Sequence, residues 1–277
     1  MSATHAVDSA AHGGNSILKG RIALFNGAGG SIGGAVARIF AREGARLFLA
    51  GRTLAKVEAV ARGIRACGGE AISAEVDALD ETAVEAHVRA VAADAGGIDI
   101  LFNAIGMEDI QGAPLTDMPF DDFFRPIRKA AKSQFLTARA VGRHMAKSGA
   151  GVMLTVTAGP PDATAGIGGF GPACQMIEGL WRGLAAELSP RGVRVICLRS
   201  AGSPDSSDFQ EMVRQHAETP GAATTREEFL AGLGSGALLG RLPSTAEVAE
   251  VGAMMASDRA GALTGTFIHV TCGSRAG

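Results

Sequence analysis

A cradle of glycines, an arginine set after the second apolar run and a scatter of loop carboxylates define the chemistry open to this sequence. Asn26-Gly27-Ala28-Gly29-Gly30-Ser31-Ile32-Gly33-Gly34 follows the apolar run 21–26 and leads into the helical pattern Ala35-Val36-Ala37-Arg38-Ile39-Phe40. Glycines there allow a tight turn and a close backbone approach to a pyrophosphate, which the free N–H groups and dipole of the next helix stabilise. Gly27, Gly30, Ser31, Ile32 and Gly33 are therefore the candidate phosphate cradle. After a second run at 45–50 comes Gly51-Arg52-Thr53, where an adenosine ribose should lie. An acidic residue there would bond the ribose hydroxyls of NAD; Arg52 instead offers a planar guanidinium to a 2′-phosphate, which favours NADP (NADPH) over NAD.

Other groups suited to proton transfer are dispersed. Glu108, Asp109 and Asp162 fall on loops after strands, at the carboxyl edge where such sheets bind ligands, and are either proton donors or solvated loop carboxylates. His216 carries the side-chain type best suited to proton transfer near neutral pH in a segment able to cover a cleft, or is a surface histidine. His87, His144 and His269 fall on elements away from the cleft and are assigned no chemistry. The cysteines Cys67, Cys174, Cys197 and Cys272 have neither metal-site nor disulfide-scaffold spacing and read as reduced thiols of a cytoplasmic protein. No metal site is expected.

The elements that must position these residues follow from periodicity. Short apolar runs at 21–26, 45–50, 71–76, 98–102, 151–157, 193–199 and 266–270 alternate with amphipathic stretches at 31–43, 53–66, 80–95, 119–147, 168–189, 206–218 and 244–256. Such alternation predicts an α/β, Rossmann-type, doubly wound and mostly parallel seven-stranded sheet with helices on both faces. Residues 1–19 are expected to form a flexible tail and 20–277 a single domain, with a candidate substrate lid near 200–236. His5 and His12 lie in that tail.

Composition narrows the ligand class. The chain of 277 residues is 47% hydrophobic and 19% charged with a net charge of −2, which leaves no electrostatic footprint for nucleic acid or a membrane surface. A small molecule is the expected partner.

From about Lys19 to Gly273 the chain resembles the short-chain dehydrogenase/reductase family. The turn is similar to the family's Thr-Gly-x-x-x-Gly-x-Gly, with Asn26 for the threonine and Ser31 for the middle glycine. Val76-Asp77-Ala78 resembles the segment carrying the family's adenine-contacting aspartate, and Asn103-Ala104-Ile105-Gly106 resembles its Asn-Asn-Ala-Gly. The resemblance thus adds Asp77, Asn103 and Gly106 to the candidate cofactor site. Glu178-Gly179-Leu180, Leu184-Ala185-Ala186-Glu187-Leu188, Glu247-Val248-Ala249, Ala256-Ser257-Asp258 and Leu263-Thr264-Gly265 are similar to its later helices and last strand.

The family's reaction centre uses Asn, Ser, Tyr and Lys, and here the resemblance breaks. Anchored on the Glu178 helix, Phe170 falls at the tyrosine and Cys174 at the lysine, while Thr157 takes the serine position and Ala130 the asparagine. Register cannot hide the tyrosine, because the chain contains none. Of the three cleft positions Thr157, Phe170 and Cys174, Thr157 keeps a suitable hydroxyl. Cys174 is either a thiolate near the nicotinamide or a small apolar filler.

Three readings follow. The first is an NADP(H)-dependent oxidoreductase reducing C=O, C=N or conjugated C=C in a small, partly apolar substrate without the Tyr/Lys pair. The second is a non-redox isomerase, cyclase or dehydratase on the same scaffold. The third is a non-catalytic cofactor- or partner-binding subunit. The resemblance also implies a homodimer or homotetramer packed through the helices at 119–147 and 168–189.

Overall fold

The computed structural model describes residues 16–158, 165–218 and 226–274. The chain runs β1 (Ile22–Asn26), α1 (Ser31–Arg42), β2 (Arg46–Gly51), α2 (Leu54–Ala66), β3 (Glu70–Glu75), α3 (Glu81–Ala95), β4 (Ile100–Asn103) and α4 (Phe120–Ser148). It continues through β5 (Gly151–Ala158), α5 (Phe170–Leu188), β6 (Val193–Ser200), α6 (Ser207–Glu218), α7 (Arg226–Ser235), α8 (Thr245–Ala256) and β7 (Thr266–Val270). All seven strands fall where the apolar runs place them.

The strands form one sheet in the order β3-β2-β1-β4-β5-β6-β7, and every pair is parallel. A parallel sheet needs a crossover between strands, so both its faces are covered and its strands are nearly continuous apolar runs. On one face α1, α2 and α8 close over a core that includes Phe25, Phe40 and Phe102. Phe25 meets Phe40 edge-on at 5.2 Å and stacks with Phe102 at 5.3 Å between ring centroids. On the other face α3, α4 and α5 pack Val84, Val88, Val141, Met145, Ile177 and Trp181 against Leu24, Leu101 and Met153. Burial of each such large side chain stabilises the fold by roughly 1.5–3 kcal/mol.

Local signals set the helix ends. The Asp80 carboxylate accepts from the N–H groups of Thr82 and Ala83, and Gly96 ends α3 in the left-handed region at φ 77°. Ser244 and Glu247 form a reciprocal capping box at the start of α8.

Part of the expected tail, residues 16–19, packs on the domain. Residues 1–15 of the expected tail lie outside the described residues, but Leu18 is fully buried and its N–H donates to Glu43 O at 3.0 Å. An apolar side chain fully buried beside β1 cannot belong to a solvated tail. In the segment 200–236, α6 and α7 flank residues 219–225, which lie outside the described set.

Candidate nucleotide cleft and reaction centre

The parallel strands end their carboxyl edges together, and the sequence crosses that edge at β1, β2, β3, β4 and β5. The turn after β1 is tight for steric reasons. Gly27 has φ +81°, and a Cβ on it would lie 2.2 Å from Ala104 O; one on Gly33 would lie 2.3 Å from Gly27 O. Those contacts bring the β1 turn against the β4 exit and leave no room for side chains. A Cβ on Gly30 would meet only Gly27 O, at 3.4 Å, so its free side faces the cleft. Gly30 caps α1 with no side-chain hydrogen bond, and the first turn carries no acidic residue. The N–H groups of Ser31, Ile32 and Gly33 therefore start α1 without an acidic partner, a site suited to phosphate.

Ser31 does more than replace a glycine. Its Oγ lies 2.9 Å from Ser207 Oγ and accepts the Ser207 N–H at 3.0 Å, so the start of α6 is tied to the phosphate turn. Nearby in the chain, Ser203 is 1% exposed and its hydroxyl has no partner among the described residues. The open N–H groups of α1 fit a polar ligand lying along this edge.

Asn103 plays a different part from the one its motif implies. It is fully buried, accepts from Asn26 Nδ2 at 2.9 Å, and donates to Gln134 Oε1 at 3.1 Å and Thr137 Oγ1 at 2.8 Å. Trp181 Nε1 and Thr155 Oγ1 also donate to Gln134 Oε1. The side chain knots β1, β4 and α4 together beneath the cleft. Asp77 lies exposed on the loop after β3 and accepts the Leu79 N–H at 2.9 Å. A Cβ on Gly106 would meet nothing within 4 Å, which leaves the β4 exit open above the turn.

Arg52 leaves the end of β2 and spans to the loop after β4, where its Nη2 lies 2.5 Å from Glu108 Oε1. Lys129 of α4 reaches the same oxygen at 2.6 Å with its side chain only 9% exposed. Glu108 sits in the left-handed region at φ 60°, and the two cations, Lys129 foremost, hold its carboxyl below the usual carboxylate range. Beside this bridge lies a cavity of about 270 Å³ lined by Leu79, Glu108, Arg125, Arg128, Lys129 and Lys132. Lys129 is a residue that sequence reasoning passed over. The available signal was the stripe Arg125, Arg128, Lys129 and Lys132, whose three- and four-residue spacing puts them on one side of a helix.

At the reaction centre the three cleft positions differ in exposure and partners. Phe170 opens α5, half-buried, with its N–H donating to Ile167 O. Cys174 lies one turn on, 1% exposed, and burial pushes its thiol up to about 12. Burial thus works against a thiolate at this position and favours the small apolar filler. Thr157 is 3% exposed and turned beneath the sheet edge, donating to Glu178 Oε1 at 3.1 Å and lying 3.3 Å from Cys197 Sγ. Glu178 is itself clamped by Arg199 through Nε at 2.7 Å and Nη2 at 2.5 Å. Strand alternation explains this: Thr157 shares the α5 face of β5 with Thr155, so its hydroxyl points inward. Glu178 lies eight residues, over two turns, beyond Phe170. The expectation of a Thr157 hydroxyl presented in the cleft is thus not met by this geometry.

Ala130 is buried on α4 and offers no side-chain donor or acceptor. Asp109 accepts from Gln111 Nε2 at 2.6 Å. Asp162 and the side chain of His216 lie outside the described residues. His87 is partly buried on α3, where burial lowers its pKa, and His269 is exposed on β7. Among the described residues no helix is long and apolar enough to cross a membrane.

Comparison with known proteins agrees with the fold and the turn. Residues 27–275 match the family described as enoyl-(acyl carrier protein) reductase. The chain is 32% identical over 260 residues to a putative ketoacyl reductase of the monensin polyketide synthase from Streptomyces virginiae, covering 91% of this chain and 96% of that protein. It is 29% identical over 254 residues to a short-chain reductase from Streptomyces niveus, covering 91% and 93%. The crystal structure of NAD+-bound xylitol dehydrogenase superposes with a TM-score of 0.86 at 25% identity, covering 92% of this chain and 99% of that one. With a parallel sheet in this order, a glycine cradle at the end of β1 and a family match across nearly its whole length, the chain belongs to the short-chain dehydrogenase/reductase family of oxidoreductases, whose members bind nicotinamide nucleotides.

Proposed function

We propose that this chain is an NADP(H)-dependent oxidoreductase acting on a small, partly apolar substrate, with a C=O, C=N or conjugated C=C bond as the reacting group. The observation that carries this reading is Arg52, a half-exposed guanidinium at the end of β2, in the place where a nucleotide's adenosine ribose lies in this fold. A planar guanidinium pairs well with a 2′-phosphate and poorly with bare ribose hydroxyls.

The nucleotide, when bound, supplies or accepts a hydride at its nicotinamide. The chain's own groups do the rest. The first N–H groups of α1 hold the pyrophosphate, with Ser31 linking them to α6. Asp77 borders the adenine side, Arg52 takes the 2′-phosphate, and Asn103 keeps the turn and the β4 exit in register. Phe170 gives the substrate an apolar wall where a proton donor would otherwise stand, and the buried Cys174 fills space behind it.

General acid-base assistance contributes typically about 10²–10⁴ in rate, so a chain without tyrosine leans on positioning. An iminium or conjugated C=C demands less of an acid at oxygen than a simple ketone does. The scattered cysteines suit a cytoplasmic protein, and we extend the reading to a homodimer or homotetramer paired through α4 and α5.

The test is calorimetric titration of the purified protein with NADPH and with NADH, with Arg52→Ala as control. We expect NADPH to bind more tightly than NADH, and the preference to fall by about tenfold or more in the variant, as loss of a charge-assisted phosphate contact requires. If neither nucleotide binds at millimolar concentration, the oxidoreductase reading fails.

A further inference from the structure

The bridge that joins Arg52 to Lys129 through Glu108 links three separate segments, the end of β2, the loop after β4 and α4. One carboxylate oxygen serves both cations, at 2.5 Å and 2.6 Å. Glu108 makes these contacts from a left-handed backbone conformation that suits glycine better than glutamate. Lys129 is 9% exposed, and an ammonium so withdrawn from water needs an anion beside it.

The surroundings carry more positive charge than this carboxylate offsets. Of the other cations lining the adjoining cavity, Arg125 pairs with Asp122, whereas Arg128 and Lys132 have no ion-pair partner among the described residues. A site with two cations on one oxygen and two more nearby is matched better by a dianion than by a carboxylate.

We propose that Glu108 stands in for the nucleotide's 2′-phosphate in the free protein, and that phosphate entry and Glu108 release are one exchange in which Arg52 and Lys129 change partner. The proposal rests on the NADP reading and adds two determinants to it, Glu108 as an internal competitor and Lys129 as the second phosphate-binding cation. A nucleotide without the 2′-phosphate cannot make the exchange, because displacing Glu108 would leave Lys129 withdrawn from water with no anion. Discrimination between the two nucleotides then resides partly in what the free protein loses.

The exchange is tested with nucleotide fragments, so that no turnover is involved. The intact protein, Glu108→Gln and Lys129→Met are titrated calorimetrically with 2′,5′-ADP and with 5′-ADP at one fixed ionic strength. Glutamine keeps the shape of Glu108 without its charge, so binding of 2′,5′-ADP is expected to tighten by about tenfold while 5′-ADP changes by less than about threefold. Lys129→Met is expected to weaken 2′,5′-ADP by about tenfold and to spare 5′-ADP. If the intact protein prefers 2′,5′-ADP but neither variant alters that preference, or if Glu108→Gln tightens both ligands equally, the exchange is wrong and the NADP reading stands. An intact protein that binds 2′,5′-ADP no better than 5′-ADP overturns both.

Discussion

Replacing Thr157 by valine removes one hydroxyl and keeps the shape of the side chain, so it asks whether that hydroxyl serves the cleft or the core. The structure puts it in the core. It donates to Glu178 Oε1 at 3.1 Å, while Glu178 retains two bonds from Arg199. A hydrogen bond to a charged group contributes about 1.5–3 kcal/mol, and because Glu178 is not orphaned the lower end applies, about 1.5 kcal/mol. For a chain of this size that lowers the melting temperature by roughly 3–6 °C. Glu178→Gln is the contrast, because it takes the carboxylate from Arg199, whose side chain is 16% exposed. Breaking one side of a buried pair costs about 3–5 kcal/mol, and the Phe267 ring, 4.7 Å from the Arg199 guanidinium carbon, brings the expected value to about 3 kcal/mol. Urea denaturation measures both, the double variant measures their coupling, and NADPH titration of Thr157→Val should stay within about threefold of the parent. A Thr157→Val protein that keeps its full stability but loses nucleotide binding or turnover would refute the reasoning, because the hydroxyl would then have to reach the cleft.

Two further perturbations address catalysis and pH. Phe170→Tyr with Cys174→Lys rebuilds the acid-base pair one helical turn apart, and reduction of a small apolar ketone should rise by about 10²–10⁴ over either single variant; no gain in a double variant that still binds NADPH would show that position alone does not limit the reaction. Arg241, followed by the Ser244 N–H, holds the Glu247 carboxyl down at about 2, from an ordinary value of 4.5. A depressed carboxyl stabilises the fold fully above its unfolded value and loses that contribution as pH falls through its folded value. Stability should therefore drop between about pH 4.5 and 2, and Glu247→Gln should flatten that part of an acid-unfolding profile; an unchanged slope would mean the capping box gives no pH-linked stability.

Much of the scaffold was legible because its signals are local. Short continuous apolar runs, as strands buried on both faces require, alternate with stretches of period 3.6, and those runs place all seven strands. The turn at Gly27 and Gly33 was legible for a similar reason, since a glycine run between strand and helix has few structural uses, and the structure shows Cβ clashes at both positions. Leu18 was missed because the apolar pair Ile17-Leu18 is too short to give a period, although Leu18 is fully buried beside the first strand.

The roles of single side chains were decided elsewhere. Asn103 matched a cofactor motif, yet its direction depends on Asn26, Gln134 and Thr137, which tertiary packing brings to it from β1 and α4. Thr157 kept the right chemistry at the right spacing, but its place on the inward face of β5 turned the hydroxyl toward Glu178. Arg52 was visible as a cation after a strand, while its partner lies 56 residues away and Lys129 lies on a third element. Sequence determined the elements and the chemistry each residue carries, because backbone periods and turn sterics act between near neighbours. Which of those residues face one another was left to the packing of helices on the sheet, where burial selects a single direction for each side chain.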